Sequence, residues 1–152
     1  VSDRGQRSFA VGIESPDAKI LLEGFEFNKN APLSSILKQE YAIDTEVGSV
    51  SIPQFYPKEH LMIPEYATHV RFSFACAVID AVTLTSKVKF AEQQMISVDA
   101  EMADVELTLD ALPDLEGVKM FYILLEYFQD INGKLYPLKS GAYNALRLVR
   151  VV

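Results

Sequence analysis

The chain has 152 residues, 49% of them hydrophobic and 23% charged, with 21 Asp and Glu against 14 Lys and Arg. This composition excludes a disordered chain and fits one globular domain that buries roughly two-thirds of its unfolded surface. The net charge of −7 argues against sequence-independent nucleic-acid binding, and no apolar run approaches the roughly 20 residues of a membrane-crossing helix.

Residues 1–14, with Arg4, Gly5, Arg7, Ser8 and Gly12, read as an N-terminal arm or linker ahead of a single domain over residues 15–152. Ser15-Pro16-Asp17 is a helix start: a hydroxyl to cap free N–H groups, a proline suited to the first position and a carboxylate to complement the dipole. That helix continues to Glu23 and can end at Gly24, and Asn30 through Leu37 repeats the logic with Asn30 as the cap. Two short helices are therefore expected at the N-terminal end.

From about Tyr41 the spacing changes to strand alternation broken by turns. Ala42-Ile43-Asp44 and Ser49–Ile52 flank a turn containing Gly48, and Pro53, Pro57 and Pro64 then mark an irregular connection. His69 to Asp80 alternates most cleanly, with Val70, Phe72, Phe74, Cys76 and Val78 on one face and a wet face opposite. Shorter strands are expected within Ala81–Phe90 and Gln94–Val98, and another over Asp104–Asp110. Lys119 to Phe128 is apolar on both parities, the pattern of a central strand covered on both faces. Asn132-Gly133 is the strongest hairpin signal; its register pairs Ile131 with Lys134 and, extended, Tyr127 with Leu138 and Glu126 with Lys139. Ser140-Gly141 makes a further turn before a last strand from Ala145 to Val152.

Seven to nine strands with no helix between them after Leu37 point to an all-β fold. The expected form is an antiparallel β-sandwich of immunoglobulin-like or Greek-key type, with a closed β-barrel as the alternative.

No catalytic signature accompanies this architecture. His60 and His69 lack metal-ligand spacing, and strand parity puts Cys76 and His69 on opposite faces. No cofactor-binding pattern is present, so neither a catalytic residue nor a cofactor nor a metal ligand is assigned. The stretch 91–117 holds eight carboxylates and no Lys or Arg; its spacing does not match a helix-loop calcium site, and alternation explains Asp104, Glu106 and Asp110 as a solvated face. From Gly133 the balance reverses, with Lys134, Lys139, Arg147 and Arg150 and no acid. Complementary charge of this kind can orient association between copies or with another protein, through Glu106 and Asp110 on one side and Lys139, Arg147 and Arg150 on the other. Glu126, the one charged residue within the most apolar strand, needs a partner, and Lys139 is its expected cross-strand neighbour in a buried ion pair. Exposed Tyr136 and Tyr143 could stack on a sugar or a partner surface.

The run Leu21-Leu22-Glu23-Gly24-Phe25-Glu26-Phe27-Asn28, preceded by Arg4-Gly5-Gln6-Arg7, resembles an uncharacterised family of bacterial proteins. So does the ending from Glu126-Tyr127-Phe128-Gln129 through Asn132-Gly133 and Tyr136-Pro137-Leu138-Lys139-Ser140-Gly141-Ala142-Tyr143-Asn144-Ala145-Leu146. The resemblance implies that the chain is the C-terminal domain of a longer protein with a basic segment ahead of it, and it implies no site residue. The expected function is a non-catalytic module for assembly or protein–protein contact. A carbohydrate or other small-ligand module is the alternative, and an enzyme using carboxylates comes third.

Overall fold

The computed structural model describes residues 22–152, apart from the side chain of Ser140. Alternation in the sequence becomes strand throughout: β1 (Phe25–Glu26), β2 (Ala42–Asp44), β3 (Ser49–Phe55), β4 (His69–Asp80), β5 (Thr85–Phe90), β6 (Gln94–Ser97), β7 (Ala103–Thr108), β8 (Val118–Ile131), β9 (Lys134–Pro137) and β10 (Ala145–Val151). Among the described residues two one-turn helices, α1 (Leu33–Ile36) and α2 (Pro57–His60), and a 3-10 turn over Leu138–Gly141 interrupt them.

Every strand pairing is antiparallel, and the strands form two sheets. The larger runs β1-β10-β8-β4-β5, with β6 pairing the first part of β4 and β9 pairing the last part of β8; the smaller runs β2-β3-β7. Neither sheet closes on itself, so the closed-barrel alternative is set aside.

The two sheets are held by one apolar core. Val70, Phe72, Phe74, Cys76 and Val78 of β4 and Phe121, Ile123, Leu125 and Tyr127 of β8 meet Val50, Ile52 and Phe55 of β3 and Val105 and Leu107 of β7. Phe55 and Phe72 cross edge to face at 5.6 Å, a geometry that aligns ring edge with ring face. At one edge a side chain joins the sheets: the Gln94 amide donates to the Asp104 carbonyl (3.1 Å) and accepts from the Glu106 N–H (3.3 Å).

Local chemistry explains the irregularities. Pro53 cannot donate within the ladder, and the β3–β7 register shifts between Ile52 and Phe55. Gln54 there takes φ 51°, and its N–H is satisfied by the Asp104 carboxylate at 3.0 Å. The Asn132-Gly133 turn forms as expected, both residues at positive φ, and pairs Ile131 with Lys134.

Three expectations need correction. The described helices are not N-terminal: α1 follows β1, and α2 lies in the connection expected to be irregular. The helix expected from Ser15 lies outside the described residues except for its last positions. Second, α1 is not capped by Asn30, whose N–H donates to Asn28 Oδ1. Instead the carboxylate of Glu26, on β1, accepts from the Leu33 N–H at 3.1 Å, so a neighbouring strand supplies the missing acceptor. Third, Glu126 and Lys139 do not pair. The β8–β9 ladder stops at Phe128↔Pro137, the chain enters the 3-10 turn, and Lys139 swings over the Tyr143 ring, 5.5 Å from its centroid.

Candidate functional site

The parity that buries Phe121, Ile123, Leu125 and Tyr127 against the small sheet turns Met120, Tyr122, Leu124, Glu126 and Phe128 to the opposite, outer face of the large sheet. On that face Ser73, Ala75 and Ala77 of β4 present only small side chains beside Tyr122 and Leu124 of β8. Val88 and Phe90 of β5 stand opposite Ala77 and Ala75, and Leu146 of β10 stands opposite Leu124. Phe27, just past β1, leans on Tyr122 with ring centroids 6.0 Å apart and on Phe25 at 4.9 Å.

The result is an apolar groove of about 440 Å³ running across the face. Its floor is Ser73, Ala75, Ala77 and Leu124, and its walls are Phe27 on one side and Val88 and Phe90 on the other. The walls are open to solvent: Phe90 is 76% exposed, Phe27 53% and Val88 48%, and Phe25 beside Phe27 is 49% exposed. Isolated exposed apolar residues are ordinary on a protein surface, but contiguous ones mark contact sites.

Both ends of the face are closed. At one, Arg71 and Glu126 are cross-strand neighbours; the guanidinium donates to Glu126 Oε1 at 2.8 and 3.1 Å and lies 4.7 Å from the centroid of the Phe128 ring. At the other, Leu22, Ile79 and Tyr122 pack over Val118, Met120, Leu148 and Val151 in a second apolar cluster. The polar atoms around the groove are engaged. Ser73 Oγ accepts from Gln93 Nε2 at 3.0 Å, and the Tyr122 hydroxyl points at the Met120 sulfur at 3.7 Å. Burial of that phenol, with the Cys76 thiol as a lesser influence, raises its pKa. A surface of this kind can bury apolar area and shed water only when something covers it.

The residues singled out in the sequence are dispersed. Tyr136 is exposed on β9, whereas Tyr143 is partly buried against the core, its hydroxyl 3.5 Å from Lys139 Nζ. Arg147 lies 3.7 Å from Glu26 Oε1, both side chains mostly buried. Arg150 sits on β10 opposite Phe121. Glu106 and Asp110 are exposed on and just after β7 in the other sheet, so within one chain the acidic and basic stretches do not lie on neighbouring strands. Among the described residues no three His, Cys, Asp or Glu side chains converge as a metal site would need. The sulfur of Cys76 is buried and its thiol is pushed up to about 11 by that burial, partly offset by the Lys119 charge.

Phe25, Phe27, Val88 and Phe90 were not identified in the sequence as site residues. The available signal was the second apolar parity of β8 facing the small Ala75 and Ala77, which reads equally as a covered central strand. In the structure that second parity is only partly covered: Tyr122, Leu124 and Glu126 are half-buried.

Fold and site together define an antiparallel two-sheet β protein with an open apolar groove on its larger sheet. Compared with models of protein families, with curated proteins and with solved structures, the chain matches none.

Proposed function

We propose that the protein is a non-catalytic β-sandwich, of immunoglobulin-like or Greek-key type, that holds an apolar protein surface against the outer face of its large sheet. One observation carries this reading: Phe27 and Phe90 stand exposed across a floor of Ser73, Ala75 and Ala77, with no unpaired charge in the groove. Aromatic walls around a floor of small side chains suit the centre of a protein interface, where charged residues are depleted and aromatics enriched. The charged residues do less for it. Arg147 and Glu126 are ion-paired within the chain, so contact through complementary charge would have to rely on groups that stay exposed, Lys139, Glu106 and Asp110 among them.

The test is site-specific photo-crosslinking in the protein's native cells, with a photoreactive phenylalanine analogue at position 90 of the full chain. A discrete adduct from position 90, absent when the analogue replaces Tyr136 and lost when Phe27→Asp is added, supports the reading. Equal labelling from positions 90 and 136, or none from 90, overturns it.

A further inference from the structure

An edge strand turns half of its backbone groups away from the sheet, and a fold must deal with each such edge. Strand β1 has two residues and β2 three, too few to template another strand. Strand β9 ends in Pro137, which has no N–H to offer. Strand β7 is closed by a side chain, because the Gln94 amide takes up the outward Asp104 carbonyl and Glu106 N–H.

Strand β5 is left open. Its six residues, Thr85 to Phe90, are exposed along their whole length and include neither Gly nor Pro. The bonds it makes to β4 fix which of its groups are free. The Ala91 N–H donates to the Phe74 carbonyl at 2.9 Å, so the pairs at two-residue steps from it, Lys89↔Cys76 and Lys87↔Val78, exchange the ladder bonds. The N–H and C=O groups of Ser86, Val88 and Phe90 therefore point away from the sheet, and no described residue bonds them.

The side chains define the strand that fits there. Val88 and Phe90 belong to the apolar outer face. Lys87 and Lys89 lie on the opposite face, exposed and with no ion-pair partner among the described residues. Lys119 stands in the same register row, across Val78 from Lys87, and adds a third cation to that side. Asp80, at the turn end of β4, is committed to the N–H groups of Val82 and Thr83.

Lysines on an edge discourage most added strands; here they select one. In an antiparallel addition that bonds the free groups of Val88 and Phe90, Lys87 and Lys89 fall in the non-bonded pairs, where opposed side chains come closest. A second β5 would set lysine against lysine at those positions, which disfavours a copy of this chain. Residues 1–21 hold only Asp3, Glu14 and Asp17 as acids, no two of them two positions apart, so one strand face of that segment cannot answer both lysines.

We propose that β5 accepts an added strand from another protein, an extended segment in which acidic residues alternate with apolar ones. The acids face Lys87 and Lys89, and the apolar residues continue the face of Val88 and Phe90. Backbone bonds supply the affinity of such an addition and alternate side chains its specificity. This goes beyond the groove and takes from that reading only that the partner is a protein.

The probes are two peptides, TVEVEVT and TVKVKVT, titrated to about 5 mM, beyond a millimolar Kd, against the isotope-labelled full chain, with amide shifts and hydrogen exchange read by NMR. TVEVEVT should slow exchange at Ser86, Val88 and Phe90 and leave Lys87 and Lys89, whose amides are already bonded to β4, unchanged. TVKVKVT should bind at least about tenfold more weakly, as like charges directly opposite do. The double variant Lys87→Glu with Lys89→Glu should reverse that preference. Both positions are exposed, so the fold should be retained, and circular dichroism checks this.

No binding of TVEVEVT, binding that protects other amides instead, or equal affinity for the two peptides overturns the inference. The groove is judged separately. If the peptides fail while Phe27→Asp still removes the adduct from position 90, the added strand falls and the groove reading stands. If TVEVEVT binds as expected while position 90 gives no adduct, the added strand stands and the groove reading falls.

Discussion

Tyr127 offers the sharpest test of what holds the two sheets in place. Its ring is 1% exposed in the middle of β8, and its hydroxyl donates to the carbonyl of Met62 in the connection between α2 and β4. Met62 in turn donates its N–H to the Ile36 carbonyl at 2.8 Å, at the end of α1. One phenol thus ties the central strand to the segment that crosses between the sheets. Tyr127→Phe keeps the ring and removes the donor, leaving a partly buried carbonyl without that partner. The cost of such an orphaned group is about 1–3 kcal/mol, which for a domain of this size lowers Tm by about 3–10 °C.

Tyr122→Phe is the matched control. Its hydroxyl reaches only the Met120 sulfur at 3.7 Å, a weak acceptor, and its loss should cost less than about 0.5 kcal/mol. Burial holds the Tyr127 phenol well above the ordinary tyrosine range. Its contribution is therefore fully present below that range and lost as pH rises toward the folded-state value, because only the unfolded phenol ionises easily. Urea unfolding followed by circular dichroism, at pH 7 and near pH 11, measures both effects. The gap between wild type and Tyr127→Phe should be clear at neutral pH and narrow in alkali. Equal stability of the Tyr127 and Tyr122 variants at pH 7 would refute the argument.

Three further outcomes follow from the geometry. A Cβ built on Gly117 lies 2.1 Å from the backbone oxygen of Ile79; since neither backbone can move aside cheaply, Gly117→Ala should cost more than about 3 kcal/mol, and a wild-type thermal midpoint would contradict it. Gly133→Ala meets nothing within 4 Å but must hold φ 85°, so only the left-handed penalty applies, about 1–2 kcal/mol by the same melt. Cys76 should resist a thiol reagent at pH 8 until the chain unfolds. With the folded thiol raised from 9.0 to about 11, its contribution is complete below about pH 9 and lost as pH rises toward 11, a slope that Cys76→Val should flatten in unfolding titrations.

Strand positions were legible wherever alternation and turn chemistry agreed. His69 to Asp80 forms as read, and Asn132-Gly133 sets the register of β8 on β9 at Ile131↔Lys134. Extending that register to Glu126 failed because a ladder lasts only as long as both strands stay extended. Pro137 ends β9, and the 3-10 turn carries Lys139 away. The true partner, Arg71, lies 55 residues off in sequence, where a local pattern has no reach. The groove was hidden for a related reason. Apolar residues on both faces of β8 fit a covered strand and an exposed binding strand equally, and only the placement of the second sheet on one side separates them. Phe25 and Phe27 fall between the helix expected to end at Gly24 and the one expected from Asn30, and a two-residue strand is too short to show alternation.

Strand β1 adds a constraint of time. It pairs Phe25 with Leu148 and Glu26 with Arg147, and Asn28 reaches across 116 residues to the Asn144 carbonyl at 2.8 Å. During synthesis at roughly 5–20 residues per second, these early residues wait about 6–23 s for their partners to be made. Strand β8 is itself complete only near the end of that interval; once it docks on β4, the flank that β10 will occupy is still unfilled and Phe27 has no strand to align it. The Phe27 wall of the groove is therefore among the last parts of the molecule to be built, and a nascent chain displays its apolar floor before the groove is complete.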